Sequence, residues 1–304
     1  MRIYLSAPIV SVGDIALFDK VGVKNRLKAF PILDLMENDK KLDIPAIIKA
    51  CRQVKGTGEC LMYDSGVSSL NVKFFKNTRT LLKDRNQGYV FSTEKFRKIV
   101  DMYCETVGAL DAAGVMDCVL EMDVDHFMGM EEVLKIREKL LKVTTKLVPV
   151  WRASQGEKEF DRVTREYKYV AFSLIRSKAK EEGWGNLLFE AYRRGVKTHL
   201  FAFIRPEYLT RFPCYSTDSS SWTKGRRWGI VAYRSERTSM TVGGRPAADG
   251  ARAFRDSSFL GLSKSDKFNP FEKNWVLEAA VRDYVKLEEK ITEVWARRGY
   301  VYAD

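Results

Sequence analysis

Aspartates recur in this chain where short apolar runs end. Asp64 follows Cys60-Leu61-Met62-Tyr63, Asp123 and Asp125 follow Val119-Leu120-Glu121-Met122, and Asp218 follows Cys214-Tyr215-Ser216-Thr217. A fourth run, Val148-Pro149-Val150-Trp151, leads into Arg152, Ser154 and Gln155. If such runs are parallel strands, these residues lie at carboxyl ends, where α/β folds build their sites. Paired carboxylates in that position suit chemistry at the anomeric carbon of a sugar. One attacks C1′ and forms a glycosyl ester, and another moves protons on the leaving or incoming group. Aspartate is short, which helps aim a nucleophile. It is ionised by default at neutral pH, so attack needs no large pKa shift.

Each residue also has a structural reading. Asp64-Ser65-Gly66 has the composition of a turn with glycine at positive φ. Asp218-Ser219-Ser220-Ser221 can cap a helix. Asp123 and Asp125 can cap a helix starting near Met130, or hold a divalent metal. His126 and His199 read as structural, and Trp151 and Trp222 as packing rather than base-stacking residues. The coincidence of several aspartates at successive strand ends is what favours chemistry. Other classes lack their residues. Gly56-Thr57-Gly58 is too short for a phosphate loop and no GK[ST] follows it, and neither histidine has a nucleophile-elbow partner. The five cysteines form no CxxC pair and are odd in number, which predicts buried thiols in a reducing compartment rather than a disulfide framework or a zinc site.

The elements that must position these residues follow from hydropathy. Strands are predicted at Ile3–Ala7, Cys60–Tyr63, Cys118–Met122, Leu147–Trp151, Tyr169–Leu174, Thr198–Ile204, Cys214–Thr217 and Gly229–Tyr233. Most are apolar without alternation, as strands buried on both faces are. Amphipathic helices intervene at Thr93–Leu110, Glu131–Val143, Trp184–Gly195 and, after Asn269-Pro270, Phe271–Arg298. Eight strand–helix alternations predict an α/β fold, a (β/α)8 TIM-type barrel, with basic loop insertions and a long C-terminal helix. The expected organisation is a catalytic barrel over 1–268, with basic loops at 67–91 and 223–268, and a helix over 269–304 packing on it.

The 304 residues carry 52 Lys and Arg against 40 Asp and Glu, a net charge of +12. The Val67–Tyr89 stretch has five basic residues and one acidic, and Lys224–Asp256 has eight against three. Most of the excess therefore sits on two stretches that break the alternation. The first interleaves Phe74, Phe75 and Tyr89 with Lys73, Lys76 and Arg79; the second opens on Lys224, Arg226 and Arg227. Such clustering fits a polynucleotide groove. The N-terminus lacks the apolar run of a signal peptide and no stretch approaches 18 apolar residues, so a cytoplasmic chain with no membrane association is expected.

Several segments, taken in order, resemble the tRNA-guanine transglycosylase superfamily. Met62-Tyr63-Asp64-Ser65-Gly66 is similar to its DSGG(F) segment. Thr198-His199-Leu200-Phe201-Ala202-Phe203, Pro206 and Tyr215-Ser216-Thr217-Asp218 are similar to the stretch leading to its nucleophilic aspartate. With Asp218-Ser219-Ser220-Ser221-Trp222, the resemblance is greatest to the phage-type enzymes that install 7-deazaguanine bases into DNA, and it covers about residues 1–235. It implies Asp218 as nucleophile and Asp64 as general base. It implies Asp123 as reader of the Watson–Crick edge of the base, with Ser65, Gly66, Gln155, Ser173, Leu174 and Trp222 around the base. It implies guanine-containing DNA and a free 7-deazaguanine base of the preQ0 type as partners, with no cofactor and no metal. The modified DNA would be protected from restriction, and the chain would work in the host cytoplasm if viral.

The departures are specific. Phe172-Ser173-Leu174 stands where the family usually has Gly-Gly-Leu. Val67 follows Gly66 where the family has Gly or Ala with an aromatic. No cysteine follows Cys214, so the family's CxCxxC…H zinc site is missing, which favours DNA over tRNA. The alternatives are a tRNA-guanine transglycosylase, a DNA glycosylase or nucleoside hydrolase using the same carboxylates with water, and a catalytically silent nucleic-acid-binding barrel. Oligomeric state is not specified.

Overall fold

The structure is a computed structural model and describes residues 1–7, 12–38, 41–74, 92–173, 181–223, 231–234, 239–242 and 273–302. In chain order the elements are β1 (Arg2–Ala7), α1 (Val12–Val21), β2 (Asn25–Ala29), α2 (Ile32–Glu37), α3 (Ile44–Lys55), β3 (Cys60–Asp64), α4 (Val67–Phe74), α5 (Thr93–Ala112) and β4 (Cys118–Leu120). There follow α6 (Asp125–Met128), α7 (Met130–Leu141), β5 (Leu147–Val148), β6 (Val150–Arg152), α8 (Gly156–Glu166), β7 (Tyr169–Ser173), α9 (Glu181–Arg193), β8 (Lys197–Leu200), α10 (Pro206–Leu209) and β9 (Ser216–Ser219). A separate pair, β10 (Val231–Arg234) and β11 (Ser239–Val242), precedes the long α11 (Lys273–Arg297).

Nine strands form one sheet in the order β5-β4-β3-β2-β1-β9-β8-β7-β6. The ladders β1–β9, β3–β4, β4–β5, β7–β8 and β8–β9 are all parallel. The two ends of the order, β5 and β6, are successive in the chain and separated by Pro149, which has no N–H to offer a ladder. This is the strand order of a (β/α)8 TIM-type barrel, the α/β class expected from the alternation.

The eight alternations were not all the predicted ones. Gly229–Tyr233 is no barrel strand: Val231–Arg234 pairs antiparallel with Ser239–Val242 in a two-stranded sheet of its own. The place is taken by β2, whose sequence Asn25-Arg26-Leu27-Lys28-Ala29 does not look like a buried strand. Its polar residues are buried because they are satisfied. Arg26, fully buried, donates Nε–H to the Val23 carbonyl (3.0 Å) and Nη2–H to Asp19 (2.7 Å), and the Asn25 amide donates to Glu288 (3.0 Å). Burial raises the Asp19 pKa, but the hydrogen bonds from Arg26 and Thr57 outweigh it and leave it lowered. Part of the first basic stretch is also regular. Val67–Phe74 is helix α4 rather than loop, started by Ser69, whose N–H and Oγ–H both reach the Gly66 carbonyl (3.0 and 2.6 Å).

The chain divides into two compact units, Met1–Arg26 with Thr57–Glu59 and Trp151–Asp304, and Leu27–Gly56 with Cys60–Val150. In the first, α11 turns Leu277, Ala280, Val281, Tyr284, Leu287, Ile291 and Trp295 into a core with Ile3, Leu5, Phe18 and Trp222. These recur at three- and four-residue steps, one stripe of a helix. Trp295 ties the helix down by donating its indole N–H to the Leu209 carbonyl (2.7 Å). In the second unit the centre is a buried ion pair. Arg137 donates to both oxygens of Glu121 (2.5 and 3.0 Å), and Glu121 also accepts the Val150 N–H (2.9 Å). All five cysteines are buried thiols, and burial pushes Cys51 and Cys214 up to about 12 and Cys104 to about 11. Among the described residues no helix is long and apolar enough to cross a membrane.

Glu288 on α11 offers a test of this packing. Its carboxylate accepts the Ile3 N–H (2.5 Å) and the Asn25 amide, so it fixes the starts of β1 and β2. Burial raises its pKa, with the Ile3 and Asn25 bonds acting against the shift. A carboxyl whose folded value lies above its unfolded one contributes most below the ordinary value of 4.5, and that contribution declines as pH rises through the folded value. Glu288→Gln abolishes the titration, so its Tm minus that of the wild type should increase as pH rises above 4.5 in thermal melts. Glu288→Ala leaves two donors unmet and should cost about 1–3 kcal/mol in urea denaturation.

Candidate active site

The geometry around Asp218 starts with the pleat of β9. Side chains of a strand alternate between faces, so Ser216 and Asp218 share one face while Thr217 and Ser219 share the other. Ser219 identifies its face: its hydroxyl lies 2.9 Å from the Tyr284 hydroxyl of α11. Ser216 and Asp218 therefore point away from that helix. In register, Asp218 stands beside Tyr4 of β1 and Ser216 beside His199 of β8.

On this face the side chains form a chain of contacts. The Tyr169 hydroxyl, from the start of β7, is 2.6 Å from Ser216 Oγ. Ser216 Oγ is 2.9 Å from His199 Nδ1. His199 Nε2 is 3.5 Å from Asp218 Oδ1, and His199 itself is fully buried. The rings of Tyr4 and Phe201 meet the imidazole edge-on, at 6.2 and 5.2 Å. The Asp218 side chain is 16% exposed, enough for a ligand to reach it.

A strained turn completes the arrangement. Beyond β8, Ala202 takes φ 50°, the one positive-φ residue other than glycine among the described residues. Left-handed backbone costs alanine about 1–2 kcal/mol. What the turn achieves is a donor: the Ala202 N–H reaches Asp218 Oδ1 at 2.8 Å. Thr217, on the opposite face, clamps the same turn. Its Oγ1 accepts the Phe203 N–H (3.2 Å) and lies 2.7 Å from the Leu200 and Phe203 carbonyls. Alternate residues of one strand thus hold the turn and receive its N–H.

Asp64 is built differently, within the other unit. It ends β3, and its carbonyl accepts the Phe30 N–H (2.8 Å). Ser65 is buried, and Gly66 turns the chain at φ 73°. A Cβ at Gly66 would lie 2.3 Å from the Phe30 carbonyl oxygen, so the turn admits glycine alone. Behind β3, Tyr63 stacks on Tyr103 with centroids 6.1 Å apart, and Tyr103 donates to the Leu120 carbonyl (2.9 Å). Burial, with the nearby Asp64 charge, raises both phenols well above their ordinary range. Asp123 is half-buried three positions beyond β4. The capping expectation for Asp123 and Asp125 fails: Gly129 stands at the N-cap of α7 without a side-chain bond, and Asp125 lies inside the first turn of α6.

The remaining expected residues take varied places. Gln155 accepts the Arg152 N–H through Oε1 (2.7 Å), so its side-chain carbonyl is committed to the turn after β6. Ser173 ends β7 and is half-buried. Trp222 is buried, edge-on to Phe18 at 5.0 Å, and donates its indole N–H to the Ser6 carbonyl (2.9 Å). That is the packing role of the two open to it, since no ring face is left for a base. Lys73 lies in the last turn of α4, while Leu174, Lys76, Arg79, Lys224, Arg226 and Arg227 lie outside the described residues. Among the described residues no three His, Cys, Asp or Glu side chains gather as metal ligands would. The structure thus brings Asp218 together with His199, Ser216, Tyr169 and Ala202, and Asp64 with Ser65, Gly66 and Phe30. By sequence alone His199 reads as structural. The two-residue spacing of Ser216 and Asp218 was the signal that a neighbouring strand residue would meet both.

No protein-family model matches the chain, and no curated protein does. Solved structures similar to it include the tryptophan synthase alpha chain from Legionella pneumophila subsp. pneumophila, at 9% identity over 94% of this chain and 90% of that one, with a TM-score of 0.46. A native KDPGal structure is similar at 10% identity over 95% and 96%, with a TM-score of 0.41. Likenesses of this size carry no information about chemistry.

The two turns should respond oppositely to glycine chemistry. Ala202→Gly relieves the left-handed strain and keeps the N–H, so its stability in urea should equal or exceed that of the wild type by up to about 1 kcal/mol. Gly66→Ala adds both strain and a clash and should cost more than about 2 kcal/mol in the same assay.

Proposed function

We propose that this chain is a base-exchange glycosyltransferase acting on DNA, which replaces guanine by a 7-deazaguanine base through a covalent Asp218–C1′ intermediate. The observation that carries the reading is the state of Asp218. One carboxylate oxygen is engaged by a backbone N–H from a strained turn, and the side chain is partly open at a strand end. Strained backbone held by its surroundings is a mark of functional sites. A carboxylate fixed through one oxygen keeps the other aimed, as a nucleophile must be.

Asp64 supports the reading as the proton-transfer group. It also ends a strand, on a turn that tolerates glycine alone at Gly66. Asp123 is the third carboxylate, able to accept from N1–H and the exocyclic amine of a guanine-like base. The segments similar to the phage-type transglycosylases contain Asp64 and Asp218 in the matching order. The missing CxCxxC…H site favours DNA over tRNA, and the basic residues of 67–91 and 223–268 suit a polynucleotide backbone of either kind. A paired base hides C1′ and its own edge, so the target guanine has to leave the stack.

The test is incorporation of labelled preQ0 into guanine-containing DNA, with tRNA alongside. Wild-type protein should label DNA and release guanine. Asp218→Ala should label nothing, and Asp64→Asn should slow labelling by about 10²–10⁴-fold. Abasic DNA formed without added base would assign the same carboxylates to hydrolysis instead. Labelling of tRNA alone would move the substrate, and undiminished labelling by Asp218→Ala would remove the nucleophile.

A further inference from the structure

His199 is a fully buried imidazole that the reaction as written does not use. Its two nitrogens have different surroundings. Nδ1 is within hydrogen-bond distance of Ser216 Oγ (2.9 Å), which in turn meets the Tyr169 hydroxyl (2.6 Å). Nε2 has no hydrogen-bond partner among the described residues, yet lies 3.5 Å from Asp218 Oδ1. The proton can sit on either nitrogen. On Nδ1, it would turn the Nε2 lone pair toward a carboxylate oxygen, acceptor against anion. On Nε2, every group finds its counterpart: Tyr169 donates to Ser216, Ser216 donates to Nδ1, and Nε2–H faces Asp218.

We propose that His199 is the positioning residue of Asp218, bearing its proton on Nε2 and directing that N–H at Oδ1, so that Oδ2 is the oxygen that attacks C1′. This rests on the base-exchange reading. Oδ1 already accepts the Ala202 N–H at 2.8 Å. A second donor on the same oxygen locks the carboxylate rotamer, and among the described residues no hydrogen bond engages Oδ2. At 3.5 Å the contact is longer than a formed hydrogen bond, as contacts in resting catalytic sites often are, and for this role it has to shorten when substrate seats.

The two donors then serve both half-reactions. In the first, the Oδ2–C1′ bond forms as C1′–N9 breaks. The electron pair leaves on guanine, which takes a proton relayed from solvent through Asp64, so that Asp64 is again ionised for the second half-reaction. Oδ1 becomes the carbonyl oxygen of the ester, still held by both N–H groups. In the second, Asp64 takes the N9 proton of the incoming base, N9 bonds to C1′, and the C1′–Oδ2 pair returns to the carboxylate. The negative charge that reappears is shared with Oδ1, where the donors stabilise it as an oxyanion hole does.

The chain has two histidines, so full-length protein labelled with 15N-histidine gives few signals, and His126→Gln assigns them. The expected spectrum shows His199 protonated on Nε2. Its Nε2 resonance moves in Asp218→Ala and its Nδ1 resonance moves in Ser216→Ala. A proton on Nδ1, or an Nε2 resonance indifferent to Asp218→Ala, overturns the proposal. The kinetic arm uses His199→Gln, whose amide N–H replaces Nε2–H, and His199→Leu, which replaces nothing. Single-turnover formation of the glycosyl ester should fall by about 10–100-fold in the leucine variant and by less than about fivefold in the glutamine variant, with the Kd for DNA unchanged within about twofold. Equal losses in both variants, or a loss confined to Kd, overturn it. A wild-type chain that forms no ester overturns the base-exchange reading itself, and the resonances then decide the His199–Asp218 contact alone.

Discussion

Everything around Asp218 depends on the two-residue repeat of one four-residue strand. β9 directs Ser216 and Asp218 to one face and Thr217 and Ser219 to the other, and each side has its own task. The first face receives the imidazole and the backbone donor. The second fastens the turn that supplies the donor and meets α11 through Tyr284. A register slip of one residue would exchange the faces, burying a carboxylate against a hydrophobic helix. Parallel pairing on both edges, with β1 and with β8, resists that slip.

The alternation of apolar runs and amphipathic helices was enough to read the architecture, because burial on both faces of a parallel strand leaves a hydropathy signal. It failed at β2. Asn25 and Arg26 are as buried as any valine, but they are buried by partners from other elements, Glu288 and Asp19. Hydropathy cannot register a partner more than 250 positions away. The opposite error occurred at Val231–Arg234, where an apolar run is a true strand in the wrong sheet. Extended structure is a local preference; which edge a strand finds is not. In the Val67–Phe74 stretch, basic and aromatic composition suggested loop, whereas the Gly66 carbonyl and Ser69 begin a helix.

The site was legible to the same degree and for the same reasons. Aspartates at strand ends could be seen because a change from apolar to acidic marks where a strand leaves the interior. Gly66 could be read as a turn glycine, although its real constraint, the Phe30 carbonyl oxygen, is a tertiary contact. The Ala202 conformation and the Tyr169–Ser216–His199 chain were not legible. They arise from strands 17 and 47 residues apart meeting in register. Trp222 was legible from its residue type: it reads as a packing residue although the resemblance puts it near the base, and the fold uses both its ring and its N–H for packing.

The pairing of Arg2 with Ser216 also has a consequence for the newborn chain. β1 leaves the ribosome well before β9, its neighbour on one side, which is made more than 200 residues later. At ordinary translation speeds of about 5–20 residues per second, that is a wait of about 10–40 s. Throughout it, the Ile3-Tyr4-Leu5 segment has an open edge and apolar side chains without their final cover, the kind of surface that chaperones bind. Of the described parallel ladders, the one that flanks Asp218 is therefore the one whose first strand waits longest for its neighbour during synthesis.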